Sequence, residues 1–114
     1  MNVYDKAHEL AKAIRESGEV ADISAAMAII EADLPSKEML DNFRSSQQEL
    51  QARMLAGEMP DQEEMEKMEK LFEVLNMNLS IRRLFEAERR LSVVIEDVNK
   101  IISGSLEHLY GADV

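Results

Sequence analysis

The stretch Leu79–Leu109, LSIRRLFEAERRLSVVIEDVNKIISGSLEHL, decides the fold. Its heptad positions read Ile81, Leu84, Glu88, Leu91, Ile95, Val98, Ile102, Ser105 and Leu109. Seven of those nine are apolar, the pattern of a coiled-coil helix. At about 1.5 Å per residue such a helix would run about 45 Å, whereas a compact chain of this size has a radius of gyration of only about 13 Å. The helix therefore overshoots any globule the chain could make. Either the molecule is an elongated antiparallel hairpin or a second chain covers the excess stripe, and both are expected to hold. Leaving Leu91, Ile95, Val98 and Ile102 in water would forfeit roughly 1.5–3 kcal/mol for each side chain. Contiguous apolar patches of that kind are rare on monomers, and a symmetric dimer is their commonest cover. A homodimer is thus expected over the competing outcome, in which the first two helices fold back on the stripe. Leu84, Leu91, Ile95, Val98 and Ile102 form the candidate self-association stripe.

Four amphipathic segments precede it. The first, roughly Val3–Glu16, aligns Val3, Ala7, Leu10 and Ile14, and Ser17-Gly18 interrupts it. The second, roughly Glu19–Ala32, carries Val20, Ile23, Met27 and Ile30, and stops before Pro35 because the residue preceding a proline is pushed out of the helical region. Pro35 in a first turn, with Asp33 or Leu34 at the cap, opens a third helix to about Ala56, with Leu40, Phe43, Leu50 and Met54 in its row and Gln47 breaking it. Gly57-Glu58-Met59-Pro60 reads as the tightest turn, since glycine suits the left-handed position after a helix and proline cannot continue one. Asp61 with Glu64 has capping-box spacing, and Met65, Met68, Phe72, Leu75 and Leu79 follow at helical intervals. Leu50 and Met54 are expected to face Met65 and Met68 across this hairpin. At Asn76-Met77-Asn78 the stripe shifts phase, so a break capped by Asn78 is expected rather than a bent continuous helix. The whole chain, 1–114, reads as a single all-α domain: an elongated helical bundle of about five helices built on a long antiparallel hairpin.

Composition agrees and excludes much. Apolar residues make up 46% of the chain, enough for a core, while four glycines and two prolines are too few for a many-turned β fold. Thirteen basic against twenty-three acidic residues give −10, a field that repels nucleic-acid backbones and anionic membranes unless a local patch overrides it. Zero cysteines exclude disulfides, thiolate metal sites and cysteine nucleophiles. No apolar run reaches membrane-spanning length, and the opening MNVYDKAHEL lacks a signal peptide's order, so a cytoplasmic protein with no membrane partner is expected.

Catalytic and metal chemistry finds little purchase. A di-iron bundle needs Glu-x-x-His pairs, but neither His8 nor His108 has a glutamate three residues before it. No phosphate-loop, dinucleotide or nucleophile-elbow motif occurs. Ser103-Gly104-Ser105 reads as small residues that admit a neighbouring helix. The expectation is a non-enzyme with no catalytic residue, metal or cofactor. The charge pattern says more. From Glu58 to Asn76 seven acidic residues face two lysines, a local −5. The long helix opens with Arg82, Arg83, Arg89 and Arg90, each pair seven apart. Exposed ion pairs such as Glu86 with Arg90 account for them simply, at a few tenths of a kcal/mol. The sharper reading is a docking patch for an acidic helix, with RNA the weaker partner. Eight methionines, Met59 and Met77 in breaks among them, suit core gaps and also surfaces that re-pack against varied partners.

The pattern resembles the YlbF/YmcA family of small helical bacterial proteins, in particular its YheA-like branch. Carrying the resemblance are the opening Ala7, Leu10, Ala11 and Ile14, then Ser17 through Glu31-Ala32-Asp33 and Pro35. The Phe43-to-Gly57 helix, the Pro60 turn, Glu86-Ala87-Glu88-Arg89-Arg90-Leu91 and Asn99-Lys100-Ile101-Ile102 complete it. The resemblance implies a cytoplasmic, self-associating all-α protein without catalytic residues. Its better-known members are regulatory subunits that influence competence, sporulation and biofilm formation, in complexes linked to RNA processing. Some use cysteines to help hold an iron–sulfur cluster, which a cysteine-free chain cannot do. The function expected is therefore a non-enzymatic interaction or regulatory protein acting through helix–helix docking, with an RNA-associated factor using Arg82–Arg90 as the alternative.

Overall fold

Local capping chemistry sets the helix starts. The computed structural model describes residues 2–110, and among them there are six helices and no strand. These are α1 (Val3–Arg15), α2 (Gly18–Glu31), α3 (Leu34–Leu55), α4 (Gln62–Asn76), α5 (Leu79–Gly104) and the short α6 (Glu107–Tyr110). Asn2, Ser17, Asp61 and Asn78 each accept a hydrogen bond from a first-turn backbone N–H, satisfying a donor the helix itself leaves open. Asp33 caps α3 without such a bond, Pro35 sitting in that helix's first turn. Between α3 and α4, Gly57 takes φ +89°, and the N–H groups of Gly57 and Glu58 donate to the carbonyls of Met54 and Arg53 at 3.1 and 2.8 Å. That pairing closes the end of α3 in a Schellman motif.

The core is short. Ile30, Leu40, Leu75, Ile81 and Leu84 are fully enclosed, joined by Ala26 and Phe43, with Ile23, Met27, Met39, Met68, Leu71 and Phe85 packed around them. All belong to α2, α3, the two later turns of α4 and the first half of α5. α2 lies antiparallel along α5: Asp22 pairs with Arg90, Ile23 flanks Leu91 to Ile95, and Ile29 sits by Ser80 and Arg83. The buried alanines Ala26 and Ala87 let these two helices come close. α3 and α4 form the antiparallel hairpin alongside.

A polar relay locks the turn between α4 and α5 to the start of α3. Asn78 Nδ2 donates to Ser36 Oγ at 2.7 Å, and Ser36 Oγ donates in turn to Asp33 Oδ2. Asn78 Oδ1 meanwhile accepts from the Ile81 N–H. Ser36 is the one buried polar residue among those described, and the relay is what allows it there.

Three expectations need correction. The long helix ends at Gly104 and not at Leu109, because Ser105 Oγ donates to the Ile102 carbonyl at 2.7 Å and the Leu106 N–H turns back to Ser103, which tightens and stops the last turn. At 26 residues it still spans about 39 Å. On α4 Met68, Leu71 and Leu75 pack on the core and half-exposed Phe72 packs at its edge against Phe43 and Phe85, while Met65 lies exposed. Leu50, Met54 and Met68 accordingly line one groove between the hairpin arms, and Met65 does not face it. The radius of gyration is 18.6 Å, with extents of 49 × 37 × 19 Å, so the molecule is far from a sphere.

Ser36→Ala would leave the half-buried Asn78 amide without its acceptor and should destabilise the fold by about 1 kcal/mol in urea denaturation. Asn78→Ala should cost about as much through its lost cap, and the double variant should fall short of the sum because the two share one bond. Gly57→Ala should cost about 1–2 kcal/mol from backbone strain alone, since no atom lies within 4 Å of the added carbon.

Candidate interaction surface

The apolar stripe of α5 is divided by what α2 can reach. A helix of 14 residues covers about 21 Å. Ile81 and Leu84 are wholly enclosed beneath it, so Leu84 belongs to the chain's own core and drops out of the stripe expected to self-associate. Leu91, Val94 and Val98 are half-buried. Beyond them exposure climbs: Ile95 is 39% exposed, Ile102 54% and Ile101 73%, with Val93, Leu106, Leu109 and Tyr110 also open to solvent. The uncovered surface thus begins near Leu91 and runs to the end of the described chain.

α1 is the second uncovered element. Val3, Ala7, Leu10 and Ile14 line one face as their spacing predicts, yet α1 contributes no buried residue, and of that row only Ile14 is half-buried. Its root is held firmly all the same. Ser17 N and Oγ both donate to the Ile14 carbonyl, at 3.1 and 2.6 Å, and Ser17 Oγ accepts from the Val20 N–H.

The four arginines do not form one patch. Residues seven apart share a row, so Arg82 and Arg89 lie on one row of α5 and Arg83 and Arg90 on another about 100° away. Arg83 and Arg90 border α2, where Arg90 pairs with Asp22 at 3.1 Å in place of the expected Glu86. Arg89 lies on the other flank, at the rim of a groove floored by Phe43, Phe72 and Phe85. Among the described residues Arg82, Arg83 and Arg89 enter no ion pair, whereas Arg44 bridges to Glu88 at 3.3 Å.

That aromatic groove escaped the sequence reading. Its three rings, with centroids 5.8–6.0 Å apart, come from α3, α4 and α5, and Phe72 stacks nearly parallel on Phe85. The chain has only these three phenylalanines, which was the one available signal. At the hairpin tip, Met54, Leu55, Met59 and Met65 are exposed beside the acidic run. Arg53 clamps the tip: its Nη2 donates to Glu64 Oε1 at 3.2 Å and its Nε to Glu58 at 3.4 Å. Glu64 Oε2 lies 3.0 Å from Nη1 but too far off-angle to accept a hydrogen bond. The hydrogen bond and charge of Glu64, seconded by Glu58, raise the Arg53 pKa above its ordinary value.

Among the described residues no group of three or more histidines, cysteines or carboxylates gathers where a metal could sit, and no helix is long and apolar enough to cross a membrane. His8 on α1 and His108 in α6 are both solvent-facing.

Residues 3–107 match the family model described as control of competence regulator ComK, YlbF/YmcA. A UPF0342 protein of Alkalihalophilus pseudofirmus is 49% identical over 110 residues, covering 96% of this chain and 93% of the relative. Another from Shouchella clausii is 42% identical over the same shares. Two solved structures share the fold. A protein of unknown function (DUF964) from Bacillus stearothermophilus superimposes with a TM-score of 0.89 at 25% identity, over 98% of both chains. The yheA protein from Bacillus subtilis does so with a TM-score of 0.74 at 31% identity, over 96% of this chain and all of that one.

The division of α5 can be read out by mutation. Leu84→Ala should cost about 2–5 kcal/mol of folding stability. Ile102→Ser should leave the unfolding midpoint of the dilute, dissociated chain within about 0.5 kcal/mol of the parent.

Proposed function

The chain belongs to the YlbF/YmcA family, and from that premise we propose that it is a non-enzymatic, cytoplasmic regulatory protein that works by helix–helix docking and self-association. The family's description ties it to control of the competence regulator ComK. One observation carries the reading: the distal half of α5 keeps Ile95, Ile101, Ile102 and Leu106 in water on a helix that is otherwise firmly packed. Exposing a contiguous apolar face is costly on a free monomer and useful on a protein whose work is to hold another. Assembly, with itself and with a second protein, is what such a surface does. No step of this role requires bond-breaking chemistry, a metal or a cofactor.

The RNA alternative draws less support. Its four arginines sit on two rows of α5, one of them is neutralised by Asp22, and the whole chain carries −10. Purified protein that retained nucleic acid, seen as excess absorbance at 260 nm and lost at high salt, would favour it instead.

Light scattering at micromolar concentration tests the self-association. The expected mass is twice 12.9 kDa, and a mass near 12.9 kDa contradicts it. Ile95→Glu should shift the mass towards the single chain with the helical circular dichroism retained, because Ile95 lies outside the core. A variant that stays dimeric and helical would move the interface elsewhere, to the hairpin flanking Pro60 first.

A further inference from the structure

Two apolar helical faces remain uncovered, α1 and distal α5, and they are related. α2 sets an antiparallel register along α5 in which Asp22 meets Arg90. Were α1 to continue the course of α2, that register would bring Ile14 level with Val98 and Leu10 level with Ile102. Within one chain only the first of these levels is partly sheltered from solvent. Ile14 and Val98 are half-buried, while Leu10 and Ile102 are exposed. The junction explains why the chain does not close on itself. It is two residues long, Glu16-Ser17, and hydrogen bonds tie it both to the last turn of α1 and to the first turn of α2. Those bonds hold α1 and α2 in the arrangement that leaves Leu10 and Ile102 exposed.

We infer that α1 is an exchanged arm, which lies along the distal half of α5 in a second copy of this chain while receiving that copy's arm in return. This rests on the self-association proposed above and names its occupant. Length fits: α1 spans about 20 Å, and α5 from Leu91 to its end at Gly104 spans about 21 Å. Charge fits as well. From Val93 to Tyr110 there are three acids (Glu96, Asp97, Glu107) against Lys100, net −2. α1 has three bases (Lys6, Lys12, Arg15) against Asp5 and Glu9, net +1. Area argues for reciprocity. One contact about 20 Å long and 10 Å wide is too small for a stable complex, whereas a symmetric pair doubles it, towards the roughly 1,000 Å² that a specific interface needs. Two-fold exchange also covers both faces of both chains at once, leaving none open to propagate.

The absence of native cysteine makes the test clean. Leu10→Cys in a chain lengthened by a tag and Ile102→Cys in an untagged chain are mixed, allowed to exchange and oxidised. The expected product is mainly the disulfide between unlike chains. A dimer by light scattering whose thiols fail to join unlike chains overturns the exchange and leaves self-association standing; a 12.9 kDa species overturns both. The double variant Leu10→Cys, Ile102→Cys should give a covalent dimer, and a purely intrachain crosslink would show instead that the arm closes on its own chain. Leu10→Glu should weaken dimerisation about 10-fold or more, with the melting of the dissociated chain unchanged because Leu10 is exposed there. An unaltered dimer constant would count against the arm.

Discussion

A helix of 26 residues spans about 39 Å, and the 14-residue helix lying against it can shield only about 21 Å of that length. This mismatch of lengths governs the rest of the structure. Where α2 does reach, Ile81 and Leu84 are enclosed and Ala87 permits close approach. α3 and α4 complete the shell from the other side through Leu40, Phe43 and Leu75. Where α2 ends, at Ser17, the core ends too, and α5 continues with its apolar residues in water. The described residues thus make a firm half and an unsatisfied half.

The firm half owes its uniqueness to a few polar contacts as much as to apolar area. Packing of leucines and isoleucines on helices tolerates sliding and rotation, because the hydrophobic effect has no direction. The Asn78–Ser36–Asp33 relay does have direction, and it pins the α4–α5 turn to one place on α3. Arg53 does the same at the far end of the hairpin, holding Glu58 and Glu64 together across the Gly57 turn. Arg90 with Asp22 fixes the register of α2 on α5. Each of these contacts is modest in energy where solvent reaches it, yet together they select one arrangement among several that would bury similar area.

Much of this was legible in the residues because it is governed by neighbours in sequence. Ser17, Asp61 and Asn78 as caps, Gly57 as the left-handed turn and the break between α4 and α5 all follow from chemistry within four residues of each position. What escaped depends on distant partners. That Leu71 would pack on the core while Met65 stayed exposed depends on how α4 meets α3 and α5 and not on its own spacing. The convergence of Phe43, Phe72 and Phe85 needs three helices to be placed first. Ser105 ended α5 early by a hydroxyl bond to its own backbone, a choice serine makes only in context. The heptad pattern of α5 ran unbroken through residues that end up in the core and residues that end up in water, and for that reason Leu84 and Ile102 looked alike. Likewise the arginine spacing was plain while the elements flanking each row were not.

On the proposed exchange, α1 and distal α5 are completed by another molecule, while the Ile30–Ile81–Leu84 core is complete in one chain. Amide hydrogen exchange followed along the chain at several protein concentrations tests it most directly, since protection reports local opening and binding stabilises only what it touches. Protection in Val3–Arg15 and in Val93–Gly104 should rise together as concentration is raised, relative to the Ile30, Leu75 and Leu84 turns. Slow exchange of α1 and distal α5 that is independent of concentration, in a species of 12.9 kDa, would contradict the account.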